Sequence, residues 1–288
     1  MSTFLISGAT GYVGTFLSKV LAKDGHLVHA LSQTKQPPGR IVWHLTDGTY
    51  QSVDNAMEIV KPQVVVYLAA HYNPKHSSEE IRTLLRSNVE FGTHLMEAAV
   101  NHGCSNFINT ESYWQNAKGK LYSPTNLYAA TKQAFKDITH FYSETFGLSV
   151  LHLKLFDVYG PNDPRPKLFS LLERARSEKK ALDMTQGDQI IRLVHVYDVV
   201  SAYQIAIKKL LESEKIIEEE YSVSGEPQTI REIVRAYQDI VGADLVINWG
   251  AIPYSRNQIM IPYSGNALPG WSPAISLSDG LQLLRGKN

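Results

Sequence analysis

The segment "YAATK" sets Tyr128 and Lys132 four residues apart. On a helix this spacing places both side chains on one face, where the lysine ammonium can lie near the phenol and favour its ionised form. A phenol so tuned can pass a proton at neutral pH. Upstream, the Thr110 of "NTES" offers a hydroxyl that can hydrogen-bond a developing alkoxide. The three residue types suit reduction of a ketone by a nicotinamide: hydride to the carbon, a proton from Tyr128 to the oxygen, and a hydrogen bond from Thr110. With 15 tyrosines in the chain, a chance Tyr-x-x-x-Lys is expected about once. The pair therefore takes its meaning from what precedes it.

What precedes it is "ISGATGYVGTFL", Ile6 to Leu17, with Gly8, Gly11 and Gly14 spaced three apart directly after an apolar strand. Gly8 suits a tight turn, Gly11 leaves room for a pyrophosphate, and Gly14 allows close packing of helix on strand. The helix N-terminus then points at phosphate oxygens. The stretch reads as a dinucleotide cradle, with Thr10, Tyr12 and Val13 completing the turn.

The elements that must position these groups alternate. "TFLISG" is followed by a helix from about Gly11 to Lys23, then "HLVHALS", a helix near Val53 to Val60, and "VVVYLAA". This rhythm of βαβ units predicts a doubly wound parallel sheet. It continues with a helix from about Glu79 to Asn101, the strand "NFINT", a helix after Pro124 and the strand "LSVLHLKLF". Beyond "YGPNDPRP" the proline density breaks the rhythm and predicts a smaller lobe. The expected fold class is α/β, a Rossmann sheet with a smaller C-terminal α/β substrate lobe. Its dinucleotide-binding domain covers 1–160, with segments around 191–210 returning to it, and the lobe covers mainly 161–288.

Composition narrows the function. In 288 residues there are 28 basic and 28 acidic side chains, so no general nucleic-acid binder is expected. The single cysteine, Cys104, excludes an internal disulfide, and the start "MSTFLISG" lacks a signal-peptide pattern. A cytoplasmic enzyme is expected. "VVVYLAA" is too short to span a bilayer, so no membrane association is expected. The histidines lack metal-ligand spacing, His71 and His195 read as packing or hydrogen-bonded groups, and no metal is expected.

With its GxxGxxG spacing, the chain resembles the extended short-chain dehydrogenase/reductase family over nearly its whole length. "YLAA", with Leu68, Ala69 and Ala70, resembles the strand end lying along the cofactor. "SNVEFGTHLMEAA" places Asn88 at the family's structural asparagine, counted here with the cofactor site. "TES" and "YAATK" match the catalytic Thr110, Tyr128 and Lys132, and "VYGPND" resembles the turn after the sixth strand. At the end of the second strand, where a carboxylate would bond the ribose of NAD, stands Ser32, followed by Lys35 and Arg40. Hydroxyl and cations there favour NADPH over NAD. Asp47 falls where the family often bonds adenine.

Within the family the likeness is to nucleotide-sugar 4-ketoreductases of the CDP-abequose and CDP-paratose synthase type. In "GAIPYSRNQIM" this implies Arg256 as the guanidinium on the substrate diphosphate. A second family arginine is displaced: "QIIRLVHVYD" has Ile191 at its place and Arg192 one residue later, which on a strand points to the opposite face. His71, Glu111, Ser112 and Asp157 complete the expected substrate contacts, Asp157 replacing an asparagine common in epimerases. The implied reaction is NADPH-dependent reduction of the C4 ketone of a CDP- or dTDP-linked 4-keto-6-deoxy sugar, as in deoxysugar biosynthesis for lipopolysaccharide O-antigen. The nucleotide sugar is the expected partner, and a homodimer is compatible. A 4-epimerase or 4,6-dehydratase stays open, although dehydratases carry two acidic residues after the threonine and here Ser112 follows Glu111. A non-catalytic NADP-binding regulator is the third alternative.

Overall fold

A computed structural model describes residues 1–119 and 121–285; the last three residues of the expected lobe lie outside it. The first half runs β1 (Thr3–Ser7), α1 (Tyr12–Lys23), β2 (Leu27–Ser32), β3 (Ile41–Leu45), α2 (Tyr50–Val60), β4 (Val64–Tyr67), α3 (Ile81–Leu85), α4 (Phe91–Asn101), β5 (Asn106–Ser112), α5 (Leu127–Phe146) and β6 (Ser149–Leu155). The chain continues through β7 (Asp157–Tyr159), α6 (Leu168–Glu178), β8 (Leu182–Met184), β9 (Ile190–His195), α7 (Val196–Glu212), β10 (Glu218–Val223), β11 (Pro227–Thr229), α8 (Ile230–Val241), β12 (Ile247–Trp249) and α9 (Leu277–Arg285).

Seven parallel strands form one sheet in the order β10-β6-β5-β4-β1-β2-β3. The winding reverses between β1 and β4, and such a reversal leaves a crevice beyond the carboxyl ends of the two strands. Side chains alternate between the faces. Phe4, Ile6, Val66 and Ile108 pack with α1 and α7, while Leu5, Val65, Tyr67 and Phe107 pack with α2, α4 and α5. The same alternation along β5 sends Thr110 toward α7 and Glu111 toward α5, as their partners below show.

Two strands of this sheet escaped the sequence reading. β3 is short and half-buried, and β10 opens with three consecutive glutamates that read as solvated surface. β10 nevertheless pairs with β6 and closes the sheet edge, burying Tyr221 to Val223. The helix expected from Glu79 to Asn101 is present as a 3₁₀ turn, α3, a π turn over Arg86–Glu90 and α4. The Tyr67 hydroxyl donates to the Ser87 carbonyl in that π turn at 2.7 Å, and π turns of this kind often mark functional sites.

The lobe gathers α6, α8 and α9 around Leu172, Ile230, Val234, Tyr237 and Leu281. It is flanked by the sheet β11-β9-β7 and the pair β12-β8. Among the described residues no helix is long and apolar enough to cross a membrane.

Candidate active site

The glycine turn is built as its spacing requires. Gly8 sits at φ 76°, and a Cβ there would lie 2.5 Å from the Ala69 nitrogen; at Gly14 a Cβ would meet the Gly8 carbonyl at 2.1 Å. The Gly11 N–H donates to that carbonyl at 2.9 Å, and no side chain caps α1, so its leading N–H groups face outward. A cleft of about 640 Å³ opens here. It brings together Gly8, Thr10, Gly11, Ser32, Asp47, Leu68, Ala69, Ala70 and His71, residues from four separate segments.

Several expected cofactor residues lie outside its lining, and others that line it are tied into local hydrogen bonds. Tyr12 and Val13 pack into the core beside α1, and the Arg165 guanidinium stacks 4.6 Å from the Tyr12 ring. Lys35 and Arg40 are exposed on the loop after β2. The Ser32 hydroxyl donates to the Thr34 carbonyl at 2.8 Å and so shapes that loop. Asp47 accepts from the Thr49 N–H at 2.9 Å and the Thr49 hydroxyl at 2.6 Å, which hold its carboxyl down at about 2. Asn88 is fully buried: its oxygen accepts from the His71 N–H at 2.8 Å, and its nitrogen donates to the His71 carbonyl and the Thr131 hydroxyl, each at 3.0 Å. It ties the loop after β4 to α5, a positioning role in place of the cofactor contact expected.

Tyr128 and Lys132 occupy the start of α5, which begins where the Asn126 side chain accepts from the Ala129 N–H at 2.9 Å. Both are buried. Lys132 Nζ lies 5.3 Å from the Tyr67 ring centroid and 6.0 Å from that of Tyr128, with no hydrogen-bond partner among the described residues. Burial lowers its pKa to about 8, against the opposing charge of Glu111. An orphaned, desolvated ammonium beside a glycine cradle fits a dinucleotide with hydroxyls to offer.

One expectation is corrected. Burial, followed by the neighbouring Tyr72, raises the Tyr128 phenol well above its ordinary value, with only Arg165 opposing. Lys132 sits over a ring face, and burial, not the ammonium, sets the direction of the Tyr128 shift. Thr110 is also buried, and its hydroxyl meets that of Tyr203 on α7 at 2.6 Å.

The substrate-side residues divide. Asp157 accepts from the Tyr113 hydroxyl at 2.8 Å, and the Tyr72 and Trp114 rings stand 5.2 and 6.5 Å from that of Tyr128. Glu111 is turned to the opposite sheet face. It is buried 3.0 Å from His152 and 3.4 Å from Lys154, which corrects the expectation that it meets substrate. Ser112 caps a short turn, its hydroxyl accepting from the Trp114 N–H at 3.3 Å. Arg192 donates to the Gly225 carbonyl at 3.3 Å. Arg256 is exposed in the segment whose Asn257 donates to the Thr125 carbonyl at 3.3 Å. His71 approaches Glu80 at 3.4 Å, and His195 accepts from the Tyr197 N–H at 3.3 Å.

The sequence pattern of the NAD dependent epimerase/dehydratase family matches residues 4–223. The chain belongs to that family. It is an enzyme of the extended short-chain dehydrogenase/reductase type, and a nicotinamide dinucleotide is its cofactor class. It is 26% identical to a CDP-abequose synthase of Salmonella typhimurium over 97% of this chain and 96% of that protein. It is 21% identical to a UDP-glucuronate 4-epimerase of Thermodesulfobacterium geofontis over 98% and 94%. Among solved structures, the UDP-glucose 4-epimerase of Thermus thermophilus in complex with NAD superposes with a TM-score of 0.81 at 21% identity, covering 99% of each chain. The UDP-glucuronic acid 4-epimerase of Bacillus cereus, bound to UDP-glucuronic acid and NAD, gives 0.84 at 22% identity over 98% and 97%. At these identities the likeness to solved structures concerns the fold.

Two groups beside this family's site were missed in the sequence. Lys167 is half-buried near Asp157, and desolvation lowers its pKa against the charge of Asp157. Its signal was a lysine within "PRPKLF", at the entrance to the lobe. Tyr203 lies 93 residues from Thr110 and carried no local signal, because a tyrosine on the apolar face of a helix reads as core.

Proposed function

We propose that this enzyme reduces the C4 ketone of a nucleotide-linked 4-keto-6-deoxy sugar, CDP- or dTDP-linked, with NADPH. One observation supports the proposal: Glu111, directly after Thr110, is buried against His152 and Lys154 on the α5 face of the sheet and is not free for acid/base work on a sugar. In this reading the Tyr128 phenol is the general acid for the ketone oxygen. A 4,6-dehydration needs an acid/base pair after the threonine, and here Glu111 is spent on His152 and Lys154 and Ser112 on its turn. Similarity to CDP-abequose synthases along almost the whole chain supports the same reading.

In this proposal the glycine turn, Thr10, Asp47 and the segment Leu68 to Ala70 hold the cofactor, which supplies hydride when bound. Lys132 donates to its hydroxyls. Thr110 hydrogen-bonds the ketone oxygen and Tyr128 protonates it. Ser32, with no carboxylate to repel a 2′-phosphate, and the exposed Lys35 and Arg40 favour NADPH. The lobe from 161 onward, apart from α7 and β10, holds the sugar nucleotide, with Arg256 at the diphosphate and Lys167 and Asp157 toward the sugar.

The test is to mix purified protein, NADPH and CDP- or dTDP-4-keto-6-deoxyglucose. One NADPH should be oxidised per sugar reduced. Failure with both nucleotides, together with turnover of a 4-hydroxy nucleotide sugar without added cofactor, overturns the proposal.

A further inference from the structure

Thr110 and Tyr203 share a 2.6 Å hydrogen bond in which either oxygen can be the donor, and the surroundings decide which one is. Tyr203 is completely buried on α7, and its hydroxyl has no other hydrogen-bond partner among the described residues. If Thr110 donated, the phenolic proton would stay in the interior with no acceptor, which proteins avoid. If Tyr203 donates, every proton is placed: the phenol's on Thr110 Oγ1, and Thr110's own directed elsewhere. Thr110 retains 8% exposure, whereas Tyr203 retains none. A phenol is also the stronger acid of the two, and an O–H that accepts a hydrogen bond becomes a better donor itself.

We infer that Tyr203 is a positioning residue for the reaction: its buried phenol donates to Thr110 Oγ1 and so fixes and polarises the Thr110 hydroxyl toward the substrate oxygen. The inference rests on the role given to Thr110 above. The effect falls on the transition state, where charge builds on the ketone oxygen, and leaves ground-state binding largely alone. Burial raises the Tyr203 phenol, the Thr110 hydrogen bond opposes the rise and the neighbouring Tyr128 adds to it, so Thr110, Tyr203 and Tyr128 form one buried cluster.

The experiment is a double-mutant cycle with Tyr203→Phe and Thr110→Val, read as kcat, KM and the Kd for NADPH. Tyr203→Phe should lower kcat about tenfold to thirtyfold with KM and Kd changed less than about twofold. In the Thr110→Val background it should cost nothing further. Multiplicative losses, or a loss appearing mainly in KM, would overturn the inference, because they describe a packing defect. If Thr110→Val is impaired and Tyr203→Phe is not, only this inference fails; if Thr110→Val retains full kcat, the role of Thr110 in the proposed function fails with it. As a probe that preserves the fold, 3-fluorotyrosine at 203 strengthens donation. It should maintain or raise kcat, whereas a fall in kcat would assign Thr110 as donor and overturn the inference.

Discussion

Glu111 and His152 form an ion pair at 3.0 Å with both side chains buried. Lys154 stands 3.4 Å from the other Glu111 oxygen and 2.8 Å from Glu220, and Lys136 also pairs with Glu220. Burial alone would raise the Glu111 carboxyl, but the hydrogen bond and charge of His152, then Lys136 and Lys154, hold it far below the ordinary range. Burial would lower His152, but the bond and charge of Glu111 outweigh it and raise the imidazole.

The pH dependence follows from these directions. The depressed Glu111 contributes stability above about pH 4.3, its unfolded value, and loses it as pH falls through the folded one. The raised His152 contributes fully below about pH 6.5 and loses its share as pH rises through its higher folded value. Both act together between those limits, so the protein should be most stable in mild acid. Glu111→Gln should cost about 3–5 kcal/mol and flatten the decline on the alkaline side. Urea denaturation from about pH 5 to about pH 9 measures it, and parallel curves for both proteins would contradict the account.

Tyr128→Phe removes the proposed proton donor and leaves the cleft lining intact. Turnover should fall about 10²- to 10⁴-fold, while cofactor titration gives a near-normal Kd. Near-normal turnover with confirmed cofactor binding would remove Tyr128 from the chemistry.

Much of this site was readable in the sequence because its determinants are local. Gly8 and Gly14 act within one turn, and Tyr128 and Lys132 within one turn of helix. The choice of face was readable in principle: once Thr110 faces α7, alternation sends Glu111 to α5, and the shift that displaced Arg192 follows the same rule. Whether Lys132 would ionise the phenol was not readable. That outcome depends on the Tyr67 ring, which draws the ammonium, and on burial that favours a neutral Tyr128. The Thr110 to Tyr203 contact and the closing of the sheet by the glutamate-led β10 depend on chain returning from far away, for which no local pattern exists.

Lys132, lowered to about 8 by burial against the charge of Glu111, should couple cofactor binding to pH. A ligand accepting its hydrogen bond favours the ammonium, so binding takes up protons where the free lysine is partly neutral. Affinity should fall by up to about tenfold per pH unit above about pH 8, and Lys132→Met should abolish the trend. Calorimetry in buffers of different ionisation enthalpy counts the protons. An affinity independent of pH across this range would show that Lys132 does not meet the cofactor.

The exposed Lys35 and Arg40 should matter only for the 2′-phosphate. Replacing both with alanine should weaken NADPH about tenfold or more, the effect of losing charge-assisted bonds, and leave NADH unchanged. A wild-type preference for NADH would refute the assignment.

The central claim is that hydride passes once, from cofactor to sugar. The decisive measurement supplies a 4-keto-6-deoxy nucleotide sugar with NADPH deuterated at the transferable position of C4 and follows the label by mass and NMR. Loss of one NADPH per product, with deuterium at C4 of the sugar, is the result predicted. Conversion of a 4-hydroxy nucleotide sugar with no net NADPH consumption and no deuterium in the product would contradict it in favour of an enzyme that takes hydride from the sugar and returns it.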